Sequence, residues 1–279
     1  MRYLAFPAMG TTIEAWVDDQ GSGLVDWFGE VERVCSRFVA TSELSAINRS
    51  APGAVRVSGL MRDVLEAAHN VRSMTSGLVD IGIGAVVSDW GYDRTFADIG
   101  SLDAEPETVR DHRWSVGPAA VTLSAGTALD LGGVAKGWAC DRAVEKGLAE
   151  VVSAGGDMRS NNTSTIASIV DPWGEVVARV PLGTRALATS SVARRRWKVG
   201  DREVSHLIHP TTMRPVDSPV ISATVVGATG VEAEAGAKCV LLEGADGLAW
   251  ADACPWIDEA IVVWHDGSVY GTSGLELVA

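Results

Sequence analysis

An α+β fold in a single domain spanning residues 1–279 is what this sequence predicts. Segments with apolar residues at helical spacing are interspersed with short β-branched runs, as in domains that combine helices with sheets. The 279 residues are 47% hydrophobic, which is enough for one large core. The 30 glycines are spread in short clusters, and no internal repeat or Pro/Ser-rich linker divides the sequence. One continuous domain is therefore expected.

Helices are predicted at three places. Residues 24–38 have apolar side chains at helical spacing. Residues 58–76 begin at Ser58, a favourable N-cap, and Val134–Leu148 follow a glycine turn with helical spacing. The Thr41–Asn48 segment is predicted to be a loop with a short turn.

Short aliphatic and β-branched runs predict the strands. The first two surround the turn Ala8-Met9-Gly10. The middle of the 232–243 run fits a helix as well as a strand, and both interpretations stay open. The predicted strands are 3–6, 12–18, Thr165–Val170, Val176–Val180, Val220–Val226, Ala237–Leu242 and Ala260–Trp264.

The charge balance argues against a nucleic-acid partner. The sequence has 36 acidic and 23 basic side chains, which gives a formal charge of −13. A polyanion is repelled by such a protein unless the basic residues cluster. The dense basic cluster consists of Arg194, Arg195, Arg196 and Lys198, which is too small to favour nucleic-acid binding.

The cysteines and the apolar runs predict a soluble, cytoplasmic protein. Cys35, Cys140, Cys239 and Cys254 lie far apart, without a C-x-x-C pair, so neither a zinc site nor a disulfide framework is expected. The sequence opens without the apolar stretch of a signal peptide, and no later run has the length of a membrane span. No membrane partner is expected, and the oligomeric state is not predicted.

The segment from Asp130 to Gly137 places two glycines and a lysine at the start of a predicted helix. Unpaired backbone N–H groups and the positive end of the helix dipole favour an anion there. The segment matches neither a Walker A loop nor the G-x-G-x-x-G pattern. Two interpretations stay open, a phosphate-binding turn and a tight turn that packs against a sheet.

Ten short motifs, in order along nearly the whole chain, resemble those of the flavin transferase (ApbE-like) family. They are Met9-Gly10-Thr11, Ser36-Arg37-Phe38, Ser42-Glu43-Leu44 with Ile47-Asn48, Gly77-Leu-Val-Asp80, Trp90-Gly91-Tyr92, Asp130-Leu-Gly-Gly-Val-Ala-Lys136-Gly137, Gly155-Gly156-Asp157, Ala188-Thr189-Ser190, His206-Leu-Ile and Pro210-Thr-Thr-Met-Arg-Pro215. Members of this family take FAD and, with magnesium, attach its FMN half to Thr or Ser of a target protein. The resemblance implies an α+β domain of mixed sheets with flanking helices.

The resemblance also implies that FAD is the ligand and indicates which residues contact it. Turns supply backbone donors for a pyrophosphate, polar side chains bond ligand atoms, and apolar side chains flank flat rings. Each residue also has a structural interpretation, such as a turn for Asn48 or core packing for Trp90. The residues expected to bind FAD are Met9, Gly10, Thr11, Ser42, Asn48, Asp80, Trp90, Asp130, Gly133, Lys136, Gly156, Asp157, Thr189, Ser190, His206 and Lys238.

The sequence departs from the family at the expected magnesium site. There the family has an Asp and a Thr four residues apart, where this sequence has Glu234 and Lys238. A protonated lysine has no lone pair to donate to a metal. We expect no metal ligand at Lys238, and its ammonium either replaces the ion beside the ligand's phosphates or forms an exposed pair with Glu234.

Further departures affect positions near the expected reacting end. His209 replaces the acid of the family's His-Ile-Ile-Asp-Pro pattern, so a carboxylate that serves as base or structural anchor is absent. Met213 replaces the glycine of a Thr-Gly turn, and Gly82 replaces the Thr of an Asp-x-Thr pattern. With Glu234 and Lys238, these changes predict degenerate catalytic positions and no catalytic residue.

The function predicted from these residues is FAD binding without efficient FMN transfer. Such a protein sequesters FAD or hands it to flavoproteins. One alternative is an active magnesium-dependent FAD:protein FMN transferase or FAD pyrophosphatase. Another is a flavin-dependent oxidoreductase, although no fingerprint for a second cofactor is visible.

Overall fold

The structure is a computed structural model that describes residues 1–18, 21–107 and 112–275. Its strands are β1 (Arg2–Ala8), β2 (Thr11–Val17), β3 (Gly53–Arg56), β4 (Trp114–Val116), β5 (Ala120–Leu123), β6 (Val151–Ala154), β7 (Asp157–Ser160), β8 (Ile166–Val170), β9 (Val176–Pro181), β10 (Ala186–Ser191), β11 (Arg196–Val199), β12 (Arg202–Ser205), β13 (Ile208–His209), β14 (Arg214–Pro215), β15 (Val220–Gly227), β16 (Glu259–Trp264) and β17 (Val269–Gly271). Its α-helices are α1 (Ser22–Cys35), α2 (Glu43–Arg49), α3 (Gly59–Met74), α4 (Gly84–Asp89), α5 (Ala135–Glu145), α6 (Gly230–Glu243) and α7 (Gly247–Ala253). Short 3₁₀ helices lie at Phe96–Asp98 and Gly244–Asp246.

The chain folds into two compact units, each assembled from separate stretches of sequence. The first consists of Met1–Gly29, Lys136–Arg194 and Asp217–Ala279, and the second of Glu30–Ala135 and Arg195–Val216. Helices and sheets occur in both, so the predicted α+β class is confirmed.

The first unit is built on an eight-stranded sheet in the order β1-β2-β6-β7-β10-β15-β16-β17. Its neighbouring strands pair antiparallel. The central strand β15 is buried along its whole length, and α6 packs against β15 and β10. The hairpin of β8 and β9 forms a separate two-stranded sheet.

The second unit contains three small sheets. One has the strand order β3-β5-β4, and the hairpins β11–β12 and β13–β14 form the other two. Buried aromatic and aliphatic side chains fill one of its cores, among them Trp90, Tyr92 and Trp197. The indole of Trp197 donates to the carbonyl of Trp90 at 2.7 Å, which fixes the two large rings relative to each other.

Most predicted elements are confirmed, with ends that differ by a few residues. The helices predicted at 24–38, 58–76 and Val134–Leu148 correspond to α1, α3 and α5. Ser58 is the N-cap of α3 and accepts from the N–H of Met61 at 3.1 Å. All predicted strands but one are present.

One prediction was wrong, and one choice left open by the sequence is decided. Thr41–Asn48 is not only a loop, because Ser42 caps α2 by accepting from the N–H of Ser45 at 3.0 Å. Ala237–Leu242 is not a strand but the second half of α6, whose start has a capping box between Thr229 and Glu232. Since α6 is buried around most of its circumference, its sequence lacks the polar face that marks a helix.

The described cysteines are all free, three of them buried and Cys254 half-buried. Burial raises the pKa of the Cys35 thiol to about 12, so this thiol is not reactive at neutral pH. Within the three described ranges, no helix combines the length and the apolar character that crossing a membrane requires. The cytoplasmic location stays a prediction.

Candidate functional site

The predicted site residues fall into two sets, one in each unit. In the first unit, two hairpin turns of the large sheet carry several of them. Met9 and Gly10 form the two-residue turn between β1 and β2, with φ of 53° and 69°. Positive φ at both positions is typical of a type I′ turn, in which a methionine is uncommon.

The second turn, Gly155-Gly156, joins β6 to β7 and packs closely against its neighbours. A Cβ on Gly155 would lie 2.3 Å from the hydroxyl oxygen of Thr11, so only glycine fits there. The N–H of Thr189 donates to the carbonyl of Gly156 at 3.0 Å. Thr189 also shares a hydrogen bond of 2.9 Å with Thr224. The structure thus brings Thr11, Gly156 and Thr189 together at one end of the sheet.

Beside this end lie four charged side chains, Lys136, Asp157, Glu234 and Lys238, which we call the ion cluster. Glu234 Oε1 accepts from Nζ of Lys136 at 3.0 Å and from Nζ of Lys238 at 3.1 Å. Its Oε2 accepts from the backbone N–H of Gly137 at 3.0 Å. Lys136 also donates to Asp157. The predicted pair of Glu234 with Lys238 is present, but Lys136 and Asp157 extend it.

The ion cluster is buried and electrically balanced. The side chains of Glu234 and Asp157 are 1% and 3% exposed, and those of Lys136 and Lys238 are 17% and 15% exposed. Two ammonium groups offset two carboxylates, so the cluster has no net charge when all four groups are ionised. Buried charges tolerate the loss of water only when they are paired in this way.

The pKa values of the cluster follow from burial and charge. Burial opposes ionisation of Glu234, but Lys136 and Lys238 outweigh it and lower the pKa of Glu234 to about 2. Burial and the charge of Glu234 raise the pKa of Asp157 to about 6, against the pull of Lys136. Burial disfavours the charge on Lys136, but the two carboxylates outweigh it and raise the pKa of Lys136. Glu234 and Lys136 are therefore charged at neutral pH, whereas burial shifts Asp157 towards its neutral form.

Two glycines allow α5 and α6 to meet where the ion cluster forms. A Cβ on Gly137 would lie 2.4 Å from the carbonyl oxygen of Gly230, and a Cβ on Gly230 would lie 2.6 Å from that of Gly137. Asp141 on α5 accepts from the N–H groups of Gly230 and Val231 at 2.7 and 3.1 Å. This carboxylate satisfies orphan donors at the start of α6. The two helices are thus fixed at a distance that lets Lys136 reach Glu234.

The ion cluster does not fit a divalent cation. Both oxygens of Glu234 are engaged by donors, and Lys238 places an ammonium 3.1 Å from one of them. An ammonium beside this carboxylate repels a metal ion and has no lone pair to offer it. Nowhere in the described part of the chain do three or more His, Cys, Asp or Glu side chains form a group that could hold a metal.

In the second unit, Asp130 fixes the glycine turn. Its Oδ1 accepts from the N–H of Gly132 at 2.7 Å, and its Oδ2 lies 2.8 Å from Nε of Arg37. Gly133 is half-buried in the same turn. Asp130 therefore holds the backbone shape of this turn through a charge-assisted hydrogen bond.

The amide of Asn48 has a structural role, and its predicted contact with a ligand stays a prediction. Its Nδ2 donates to the carbonyl of Leu129 at 2.9 Å, and its Oδ1 accepts from the N–H of Leu129 at 2.8 Å. This two-way pairing fixes the backbone residue before Asp130. Asn48 lies on α2 and stabilises this turn, although Asn48 and Leu129 are 81 positions apart in the sequence.

Three more predicted binding residues have structural partners. Ser42 is fully buried, caps α2 and donates to the carbonyl of Ser36 at 2.6 Å. Trp90 is 2% exposed and donates to the carbonyl of Met213 at 2.8 Å. Asp80 is buried and accepts from Trp114 at 2.7 Å. These contacts favour the structural interpretation of all three.

The surroundings of Asp80 also explain why the residue two positions further on is a glycine, Gly82. It accepts from the N–H of Gly82 at 2.8 Å and forms an ion pair with Arg72 at 3.0 Å. A Cβ on Gly82 would lie 2.5 Å from the carbonyl oxygen of His112. A threonine at this position would not fit the described backbone, so the departure at Gly82 has a steric reason.

The remaining predicted positions lie on β10 and around the hairpin of β13 and β14. Ser190 is half-buried on β10 and its carbonyl accepts from Ser222 at 3.4 Å. His206 is half-buried, with its ring edge-on to Tyr92. His209 accepts through Nδ1 from the N–H of Thr211 at 3.2 Å. His209 thus supplies a turn acceptor at the position where the resemblance implies a carboxylate. Met213 has a φ of 56° at the position where the resemblance implies glycine.

Sequence reasoning missed Arg37 and Asp141 as residues that shape the site. Arg37 belongs to the quoted Ser36-Arg37-Phe38 motif, but nothing in the sequence indicated its pairing with Asp130. Asp141 lies one helical turn after Gly137, and this spacing alone could have placed both on one face of α5. Its contact with the start of α6 depends on the fold.

Comparison with known proteins identifies the family. A model of the ApbE family matches residues 9–260, so this chain belongs to that family. The FAD:protein FMN transferase of Vibrio cholerae is 27% identical over 90% of this chain and 84% of the relative. The FAD:protein FMN transferase of Salmonella typhimurium is 28% identical over 64% of this chain and 57% of the relative.

Solved structures confirm the predicted fold. The ApbE protein of Thermotoga maritima superposes with a TM-score of 0.84 at 21% identity, covering 98% of this chain and 97% of that one. The flavin transferase ApbE from Vibrio cholerae gives 0.77 at 24% identity with the same coverage of both chains. At these identities the likeness establishes the fold.

Proposed function

We propose that this protein binds FAD and holds it without transferring the FMN half to another protein. The names of the relatives support FAD as the ligand, since each is called an FAD:protein FMN transferase. The solved structure from Vibrio cholerae is likewise named a flavin transferase. The finer claim, binding without transfer, rests on the residues of this chain.

The observation that carries this claim is the closed ion cluster around Glu234. Phosphoryl transfer benefits from a metal ion that polarises a phosphoryl oxygen and orients the displacement. Both oxygens of Glu234 already accept hydrogen bonds, from Lys136, Lys238 and the N–H of Gly137. An ammonium neutralises a phosphate as a point charge but provides neither open coordination positions nor a fixed geometry. These contacts favour binding over catalysis.

The ion cluster still has donors for an anionic ligand. Each ammonium carries three N–H groups, of which Lys238 uses one on Glu234. Both lysine side chains retain some exposure, 17% for Lys136 and 15% for Lys238. Their remaining N–H groups are available to the pyrophosphate of FAD. A protein that binds in this way serves to sequester FAD or to hand it to flavoproteins.

A transfer assay with product analysis tests this function. Purified protein is incubated with FAD, magnesium and an acceptor protein with a flavinylation Thr or Ser, and the Vibrio cholerae relative serves as the positive control. We expect intact FAD to be recovered by chromatography, with no fluorescent acceptor band and no AMP. Flavinylation of the acceptor at turnover rates would overturn the proposal. This chain would then have the FMN transferase activity for which its relatives are named. Release of free FMN and AMP would identify a pyrophosphatase.

A further inference from the structure

Arg37 is a buried guanidinium that the ion cluster does not involve. Its side chain is 9% exposed, and its Nε lies 2.8 Å from Oδ2 of Asp130. Its Cζ lies 4.2 Å from the ring centre of Phe38 and 4.8 Å from that of Tyr92. One ion pair and two aromatic rings therefore hold this side chain in a single position.

The Nη2 and Nε groups of Arg37 are both buried without a hydrogen-bond partner among the described residues, but Nε has the ion pair with Asp130, which leaves Nη2 as the group with neither. An unpaired buried donor is costly, and most such groups in proteins have a partner. The cost is greater for a guanidinium, because its charge is shared over all three nitrogens. A fixed, desolvated donor of this kind is suited to a ligand that supplies the missing acceptor.

We propose that Nη2 of Arg37 donates a hydrogen bond to a phosphate oxygen of the bound dinucleotide. This inference rests on the proposed function, in which FAD is the ligand. A phosphate offers several strong acceptors, and arginine recognises it through its planar fork of N–H groups. Asp130 directs the Nε side of the fork and also accepts from the N–H of Gly132. One carboxylate thus fixes both the guanidinium and the glycine turn.

Arginine and lysine differ at this position. Lys could replace the charge of Arg37, but an ammonium is a compact point charge without a planar fork of N–H groups. It therefore cannot stack on the ring of Phe38 and at the same time donate to both Asp130 and a second acceptor. Arg37→Lys is therefore a test of directed binding rather than of charge. Arg37→Gln removes the charge and shortens the side chain.

The experiment measures dissociation constants of FAD, FMN, AMP and riboflavin for the wild-type protein, Arg37→Lys and Arg37→Gln by calorimetry. We expect both variants to bind FAD about 10- to 100-fold more weakly, as for loss of a charge-assisted hydrogen bond. Either FMN or AMP, each of which carries one of the two phosphates of FAD, shows the same loss, depending on which phosphate is contacted. Riboflavin, which has no phosphate, binds the wild type and the variants equally.

Arg185→Lys is the matched control, because the guanidinium of Arg185 is already bonded to Glu259 and to the carbonyls of Pro181 and Leu182. It should leave FAD affinity within twofold of the wild type. Circular dichroism checks that each variant is folded, and Arg37→Lys is decisive if Arg37→Gln does not fold. FAD affinity within twofold in Arg37→Lys, or an equal loss for riboflavin, would overturn the phosphate contact.

The wild-type titration separates this inference from the proposed function. A wild-type protein without measurable FAD affinity would overturn both. A wild-type protein that binds FAD and also transfers FMN would overturn the proposed function alone, while the ratio of variant to wild-type affinity would still decide the role of Arg37.

Discussion

Glu234→Gln removes one charge from the balanced ion cluster while keeping the shape of the side chain. Two ammonium groups, Lys136 and Lys238, then face the single carboxylate of Asp157. Removing one partner of a buried ion pair costs about 3–5 kcal/mol, because the remaining charge stays buried and unpaired. For a chain of this length such a loss lowers the melting temperature by about 6–20 °C.

Thermal unfolding at pH 7.5, followed by far-ultraviolet circular dichroism, measures this effect. Glu243→Gln is the matched control on the same helix, with a half-buried side chain at the C-terminal end of α6. We expect it to change stability by less than about 0.5 kcal/mol. A melting temperature of Glu234→Gln within 2 °C of the wild type would refute the account of the cluster.

A second substitution tests whether charge balance is the cause. Lys238→Met added to Glu234→Gln leaves Lys136 paired with Asp157 and removes the excess ammonium. The double variant should be more stable than Glu234→Gln, although Lys238→Met alone destabilises the protein. Additive losses in the two single variants would show that the groups are not coupled.

Three further predictions follow from the geometry. Asn48→Ala leaves both backbone groups of Leu129 unpaired, so it should lower the free energy of unfolding in urea by about 1–3 kcal/mol; an unchanged midpoint would contradict this. Gly137→Ala should lower the melting temperature, because its Cβ would lie 2.4 Å from a backbone oxygen. The control Gly59→Ala should not, because its Cβ would meet open space. Equal melting temperatures of the two variants would argue against the close contact between α5 and α6. The pKa of Glu234 is lowered from 4.5 to about 2 in the folded protein, so its charge contributes stability above pH 4.5 that is lost as the pH falls towards 2. The difference in unfolding free energy between the wild type and Glu234→Gln should therefore shrink over that range in urea titrations, and a constant difference would contradict the shift.

Much of the fold was predictable because local patterns agree with it. Alternating burial in β2 and helical spacing in α3 are visible in the sequence. The choice between strand and helix for Ala237–Leu242 stayed open because Cys239, Val240, Leu241 and Leu242 are all apolar and buried, so this half of α6 shows no helical period. Helix α2 has only seven residues, too few for a clear period.

The candidate site was predictable only in part, for a similar reason. Glu234 and Lys238 are four residues apart, so their pairing follows from helical geometry. Lys136 and Glu234 are separated by 98 positions, and Asn48 and Leu129 by 81. Such contacts depend on the tertiary fold, which brings α5 to α6 through two glycines. This is why the hydrogen bonds between Asn48 and Leu129 could not be predicted from the sequence.

The dissociation constant of FAD with magnesium and with EDTA tests the central claim most directly. If the ion cluster replaces the metal, the wild-type protein should bind FAD equally well in 5 mM magnesium and in excess EDTA, within about twofold. The double variant Glu234→Asp with Lys238→Thr rebuilds the family's expected ligand pair, and its affinity should rise with magnesium. Release of FAD from the wild-type protein by EDTA would contradict the account and show that a metal completes the site.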